Sequence, residues 1–100
     1  MRRPEVLAWL GTREPTPPAA LWAHLAAAVT DAPEALPDHL ARLGREVLAR
    51  VERQPAGGRE LALDLLAADA FITYAFEAQT EAAVGGLAGL AARIAAEVPQ

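Results

Sequence analysis

Apolar residues recur every three to four positions along most of the chain, which is the spacing of amphipathic helices. The first predicted helix spans about residues 4–10, with Pro4 in its first turn and Gly11 as a left-handed residue at its end. The second follows Thr16, an N-cap candidate before two prolines, and ends near Thr30. Its apolar face carries Leu21, Trp22, Leu25, Ala28 and Val29.

The third predicted helix begins at Pro37 and ends before the QPAGG segment at 54–58. Upstream, the spacing of Asp31 and Glu34 matches a capping box, so a short helical turn is expected before Pro37. The apolar face of the third helix carries Leu36, Leu40, Leu43, Val47 and Val51. Its other face alternates in charge at four-residue steps, which is typical of a solvated surface: Asp38, Arg42, Glu46 and Arg50.

The fourth predicted helix is the longest element. Neither Gly nor Pro occurs from Arg59 to Ala83, so this helix has roughly 25 residues and a length of about 37 Å. One face carries Leu61, Leu65, Ala68, Ile72, Ala75 and Phe76. Ala62, Leu66 and Ala70 interrupt the polar stripe beside it, which indicates a helix buried by more than one neighbour.

Gly85 and Gly86 are expected to end or kink this helix before a fifth helix over about 87–97. The fifth helix places Leu87, Leu90, Ile94 and Val98 on one face. The pattern therefore predicts an all-α fold over residues 1–100. We expect a single-domain bundle of four to five helices around a long central helix (about 59–83), with a Gly-Gly break before a short C-terminal helix.

Composition supports this fold class and excludes several chemistries. The chain has 100 residues, enough for one domain, and contains 25 Ala and 14 Leu, whereas aromatic residues make up only 5%. The absence of Cys excludes disulfides, thiolate zinc sites and cysteine nucleophiles, and the absence of Ser excludes a serine triad. No apolar run approaches the roughly 20 residues of a spanning helix, and Pro4 and Glu5 argue against a signal peptide, so a cytoplasmic protein is expected.

Two acids on the fourth helix are the first candidates for ligand chemistry. Asp69 and Glu77 lie two turns apart on one stripe, with Thr73 between them. Buried carboxylates can act as acids, bases or metal ligands, but a di-metal bundle also needs Glu-x-x-His pairs, which this chain lacks. The favoured interpretation is that Asp69 pairs with an arginine or caps a helix. A ligand pocket would also use Tyr74, whose alternative role is in the core, and Trp22 as a wall.

The two histidines could bind zinc with Asp69 or Glu77 if folding brought them together. His24 lies on the flank of the second helix and His39 near the start of the third. A partly exposed, hydrogen-bonded side chain is the favoured interpretation for such positions. We therefore predict no catalytic residue, no metal and no cofactor.

A group of arginines on the third helix raises the question of nucleic-acid binding: Arg42, Arg45, Arg50 and Arg53. Acidic residues are interspersed among them, and the whole chain has a formal net charge of −4. Phosphate binding needs a net basic face, because its affinity comes from counterion release. Nucleic acid is therefore an unfavoured partner.

Small residues dominate the fourth and fifth helices. They allow close helix packing, but each supplies little apolar area, so sharing a long helix with a second copy would enlarge a thin core. The sequence thus favours a non-catalytic interaction or assembly module that forms a homodimer or binds a protein partner. The candidate interface residues are Ala82, Gly85, Gly86, Gly89 and Leu90. The alternatives are a close-packed monomer and a ligand- or metal-binding bundle, or small enzyme, built on the Asp69/Thr73/Glu77 stripe.

Overall fold

The computed structural model describes residues 1–54, 57–83 and 86–97. Over these ranges the chain forms helices and no strand, which confirms the predicted all-α fold. The helices are α1 (Arg3–Leu10), α2 (Ala19–Ala28), α3 (Leu36–Glu52), α4 (Arg59–Ala82) and α5 (Leu87–Glu97). The longest dimension of the molecule is 40 Å. Since 24 helical residues span about 36 Å, α4 crosses the molecule from end to end, as predicted.

Prolines and glycines set several of the helix ends. Pro4 and Pro37 lie in the first turns of α1 and α3, where a missing N–H leaves no helical hydrogen bond unmade. Gly58 precedes α4 with φ of 133°, a left-handed conformation that favours glycine over every other residue. The predicted break between the third and fourth helices is confirmed.

Two predicted helix caps are wrong. Gly11 has φ of −65°, a right-handed conformation, and its N–H donates to the carbonyl of Leu7 at 3.0 Å. The helix α2 begins at Ala19, with Pro18 in the cap position. A residue that precedes a proline is pushed into extended backbone, and this applies to both Thr16 and Pro17. Since Pro17 therefore disfavours the helical conformation, the helix cannot begin directly after Thr16, and its cap lies at Pro18.

The predicted helical turn around Asp31 and Glu34 is also absent. The carboxylate of Asp31 accepts a hydrogen bond from the backbone N–H of Arg3, which ties this segment to α1. The carboxylate of Glu34 accepts one from Nε of Arg42 at 2.6 Å. Both side chains are thus engaged with neighbouring helices, Asp31 with α1 and Glu34 with α3, and α3 begins directly at Leu36.

The core lies mainly between α3 and α4, which pack against each other along their lengths. Its fully buried side chains come from all five helices and include Val6, Leu10, Leu25, Leu40, Leu43, Val47, Ala67, Phe71, Ala75 and Leu90. Gly44 permits the close approach of the two long helices. A Cβ built there would lie 2.9 Å from Cδ1 of Ile72 and 3.2 Å from the backbone oxygen of Ala68.

The buried face of α4 differs from the predicted one. Phe71 is fully buried and Leu65 is 46% exposed, so the N-terminal half of the helix is rotated relative to the expectation. The buried residues of α4 form the stripe Ala67, Ala68, Phe71, Ala75 and Ala78. Alanines on this stripe let the backbones approach closely, and the leucines are displaced to its flanks.

Candidate functional site

An apolar hollow of about 330 Å³ lies between α3, α4 and α5. We call it the α3–α4–α5 groove. Its lining is mostly aliphatic: Gly44, Leu48, Leu65, Ala68, Ile72 and Ile94. Two side chains of opposite charge, Arg45 and Asp69, complete it.

Leu65 and Leu66 are exposed beside this groove. Their exposed fractions are 46% and 54%, and within the described ranges they are the exposed large hydrophobic residues. Leu65 forms part of the groove wall, whereas Leu66 lies outside the groove lining. Adjacent half-exposed leucines in the longest helix form an apolar surface that the described part of the chain leaves uncovered.

The two charged residues of the groove are in different situations. Arg45 forms an ion pair with Glu97 of α5. Asp69 is exposed and forms no ion pair with any residue that the structure describes. The favoured interpretation of Asp69, pairing with an arginine or capping a helix, is therefore not observed over these residues.

The stripe of Asp69, Thr73 and Glu77 is divided between two hollows. Asp69 lies in the α3–α4–α5 groove. Thr73 and Glu77 line a wider, open hollow together with Arg13. The carboxylate of Glu77 is 3.8 Å from Nη1 of Arg13. The three predicted residues thus do not converge on one ligand.

A polar cluster that the sequence did not indicate joins the end of α1 to α4. The guanidinium carbon of Arg13 lies 3.7 Å from the ring centre of Trp9. Glu81 accepts hydrogen bonds from Nη1 of Arg13 and Nε1 of Trp9, each at 3.0 Å. These two hydrogen bonds, with that from Trp9 the larger influence, lower the pKa of Glu81. The arrangement anchors the chain after α1 to the C-terminal half of α4.

The two aromatic candidates lie away from the groove. Tyr74 contacts Trp9 edge to face, with ring centres 6.2 Å apart and an angle of 81° between the rings. Burial, followed by the nearby carboxylate of Glu77, raises the pKa of Tyr74. Trp22 is half-buried and packs against the core. Both side chains therefore contribute to packing, and neither lines the groove that holds Asp69.

His24 bridges two carboxylates of α4. Its Nδ1 is 2.8 Å from Oδ1 of Asp64, and its Nε2 is 3.0 Å from Oε2 of Glu60. The two contacts use opposite sides of the ring, so the acids do not converge with the histidine on one metal position. This partly buried, hydrogen-bonded side chain matches the favoured interpretation for His24 and links α2 to α4.

His39 is fully buried, and the expectation of a partly exposed, satisfied ring is wrong for this residue. Neither ring nitrogen has a partner at normal hydrogen-bond distance and angle in the described part of the chain, and the backbone of Thr30 stabilises the protonated ring only slightly. Burial lowers the pKa of His39, and the ammonium group of Met1 and the guanidinium of Arg42 lower it further. Among the described residues, no group of three His, Asp or Glu side chains could hold a metal ion.

The predicted interface residues occupy different environments. Leu90 is fully buried within the chain, so it is not part of the exposed surface. A Cβ at Gly86 would lie 2.5 Å from the side-chain nitrogen of Gln79. Ala82 and Gly89 are exposed, and Gly85 lies outside the described residues. The exposed large hydrophobic residues of the described ranges lie elsewhere, in the N-terminal half of α4.

Half of the arginine group on α3 is engaged in ion pairs. Arg42 donates to Glu34 and to Glu46, the latter at 2.7 Å and one helical turn away, while Arg45 pairs with Glu97. Arg50 and Arg53 are exposed. The acidic partners reduce the positive charge that this helix presents.

External comparisons add no functional assignment to this geometry. No protein-family model, curated protein or solved structure matches the chain. Over residues 1–54, 57–83 and 86–97, none of the helices combines the length and apolar character needed to cross a membrane. The groove and the exposed leucines are the features on which a functional proposal can be based.

Proposed function

We propose that this protein is a non-catalytic helical interaction module that self-associates. In the dimer, the N-terminal half of α4 around Leu65 and Leu66 packs against a second copy. The observation that carries this proposal is the exposure of both leucines, 46% and 54%, beside an apolar groove. Neighbouring exposed apolar side chains beside an apolar groove are a common feature of interaction sites.

Burial of the leucines supplies a driving force for the association. Complete burial of a leucine side chain contributes roughly 1.5–3 kcal/mol, and about half of each side chain is still available here. In a two-fold dimer the same surface is used on both copies, so each leucine contributes twice. The gain must exceed the loss of translational and rotational freedom, which limits how tight such a dimer can be.

A second copy fits this surface better than a small molecule does. Leu66 lies outside the groove lining, so a ligand filling the groove would leave it exposed. A helix laid across α4 covers Leu65 and Leu66 together. The groove also presents both signs of charge, Arg45 and Asp69, so the surface is electrostatically compatible with its own copy.

Light scattering over a concentration series tests the proposal. We expect the unmodified protein to move from monomer to dimer as its concentration rises. The double variant Leu65→Glu/Leu66→Glu should remain monomeric while keeping the helical circular dichroism of the parent. The control is the double variant Ala91→Glu/Ala92→Glu, which adds the same two charges at exposed positions of α5. A parent that stays monomeric at millimolar concentration, or a double variant that still dimerises, contradicts the proposal.

Binding of a small amphiphile is the second candidate function, favoured by the apolar lining and the adjacent charges of the groove. Its volume of about 330 Å³ falls at the lower end of the range for ligand sites. The single variant Leu66→Glu separates the two functions. It should weaken dimerisation but leave the binding of a fluorescent fatty-acid probe unchanged, because this side chain does not line the groove.

A further inference from the structure

We propose that the two copies exchange their C-terminal helices, so that α5 of each copy docks on α3 and α4 of the other. The inference rests on the proposed self-association and specifies the element that one copy inserts into its partner. Such an exchange preserves the contacts that α5 makes within one chain and turns them into contacts between chains.

The apolar attachment of α5 is slight. Leu90 is its one fully buried residue, and Leu87 and Ile94 are half-buried, whereas the other eight residues of the helix are exposed. Ile94 also forms part of the wall of the α3–α4–α5 groove. Because so little surface holds α5 in place, its release exposes little of the core.

Two ion pairs make up the charged part of the attachment, and both reach α3. Nε of Arg93 is 2.9 Å from Oδ1 of Asp38, and Glu97 pairs with Arg45. The charges alternate along both elements, with Arg93 before Glu97 on α5 and Asp38 before Arg45 on α3. The site therefore selects one orientation of an incoming helix.

The helix known to fit this site in shape and charge is α5 itself. A second copy carries the same Leu90 side chain and the same two charges, so it can replace the resident helix without loss of a contact. The helix α4 ends at Ala82 with extended backbone at Ala83, so the chain already leaves the helical path before α5. Exchange adds the proposed contact between the exposed leucines of the two α4 helices.

Charge reversal in two separate chains tests the exchange. The first chain carries Asp38→Arg and Arg45→Glu, and the second carries Arg93→Asp and Glu97→Arg. Within either chain both ion pairs are mismatched. In an exchanged heterodimer every pair is matched again, because the reversed α3 of one chain receives the reversed α5 of the other. Native mass spectrometry of the mixture measures the proportion of mixed dimers.

In an equimolar mixture, we expect the ratio of mixed dimers to the two homodimers together to exceed its random value of 1:1 by about tenfold, since four surface ion pairs re-form together. A third chain that carries all four reversals restores the pairs internally and should behave like the parent, which controls for folding. If the parent dimerises but mixing yields the random proportion, the exchange is overturned and the proposed self-association stands. If the parent is monomeric throughout, both are overturned.

Discussion

Gly44 lies against Ile72 so closely that a Cβ at this position would be 2.9 Å from Cδ1 of the isoleucine. The backbone oxygen of Ala68 stands 3.2 Å away on the same side. The side chain of Ile72 can rotate, but the backbone of a buried helix cannot move without disturbing its neighbours. The absence of a side chain at Gly44 is thus what sets the distance between α3 and α4.

We expect Gly44→Ala to lower the free energy of unfolding by about 1–2 kcal/mol. Overpacking costs roughly 1–3 kcal/mol, and the better helix propensity of alanine offsets up to about 1 kcal/mol of this. Urea denaturation followed by circular dichroism measures the change. The matched control is Gly89→Ala on α5, where the new methyl group meets only the flexible end of Arg93, at 3.3 Å. The free energy of unfolding of Gly89→Ala should be equal to or higher than that of the parent. If both substitutions stabilised the protein equally, the close packing at Gly44 would be contradicted.

Acid should destabilise the protein through His39. Burial lowers the pKa of this ring in the folded state. Below pH of about 6.5 the unfolded chain binds a proton that the folded chain does not, so the free energy of unfolding falls as the pH drops. The fall continues until the pH reaches the lowered pKa, with a slope of at most about 1.4 kcal/mol per pH unit.

Chemical denaturation at several pH values checks the role of His39. The variant His39→Leu keeps an apolar side chain in the buried site, and it should lose the part of the slope that the histidine supplies. The control Val47→Ala removes core volume from the same helix, so it should lower the stability at every pH and keep the slope. An unchanged slope in His39→Leu would show that other groups cause the pH dependence.

Removal of Leu90 should detach α5 without unfolding the rest of the chain. Leu90 is the only fully buried residue of this helix, and Leu→Ala substitutions at buried sites cost roughly 2–5 kcal/mol. In Leu90→Ala we expect hydrogen exchange to accelerate at the amides of α5 and to remain slow in α3 and α4. The substitution Leu40→Ala serves as the control, since it should accelerate exchange throughout the bundle. Uniform acceleration in Leu90→Ala would mean that α5 unfolds together with the core.

The stacking of Arg13 on Trp9 should stabilise the connection between α1 and α4. The side chain of Arg13 is 14% exposed, so Arg13→Ala removes packing as well as charge, and we expect a loss of about 1 kcal/mol. Glu81→Gln should have a smaller effect, because this carboxylate is at the surface. Thermal unfolding and the fluorescence of Trp9 report both changes. A larger loss in Glu81→Gln would place the stabilisation in the ion pair instead of the stacked ring.

Helix positions were largely predictable from the chain because they depend on local chemistry. The absence of Gly and Pro between 59 and 82 and the glycines at 57–58 bound α4 to within one residue of the prediction. The limits of α5 agree with the predicted ones. Errors of detail fell at Gly11, Thr16 and Asp31, where steric restrictions of prolines and contacts from distant residues replaced the expected local caps.

The candidate site was predicted less accurately than the helix limits, because a site depends on which helix faces meet. Asp69 and Glu77 lie on one stripe of α4, yet in the folded chain they line two separate hollows. The cluster of Trp9, Arg13 and Glu81 joins residues about seventy positions apart, and no local pattern links them. Leu65 carries a clear sequence signal of an apolar face, but only the packing of α3 and α5 shows that this face is partly open.

The all-helical fold, the order of the five helices and their approximate limits could be predicted from the chain, since backbone propensity and the Gly and Pro breaks act over a few residues. The side of α4 that is buried could not be predicted in this way, because it depends on the packing of the other helices. The buried side carries Phe71 and four alanines, whereas Leu65 remains exposed. Tertiary structure also decided the burial of His39 and the need for glycine at 44, because both depend on atoms supplied by other parts of the chain.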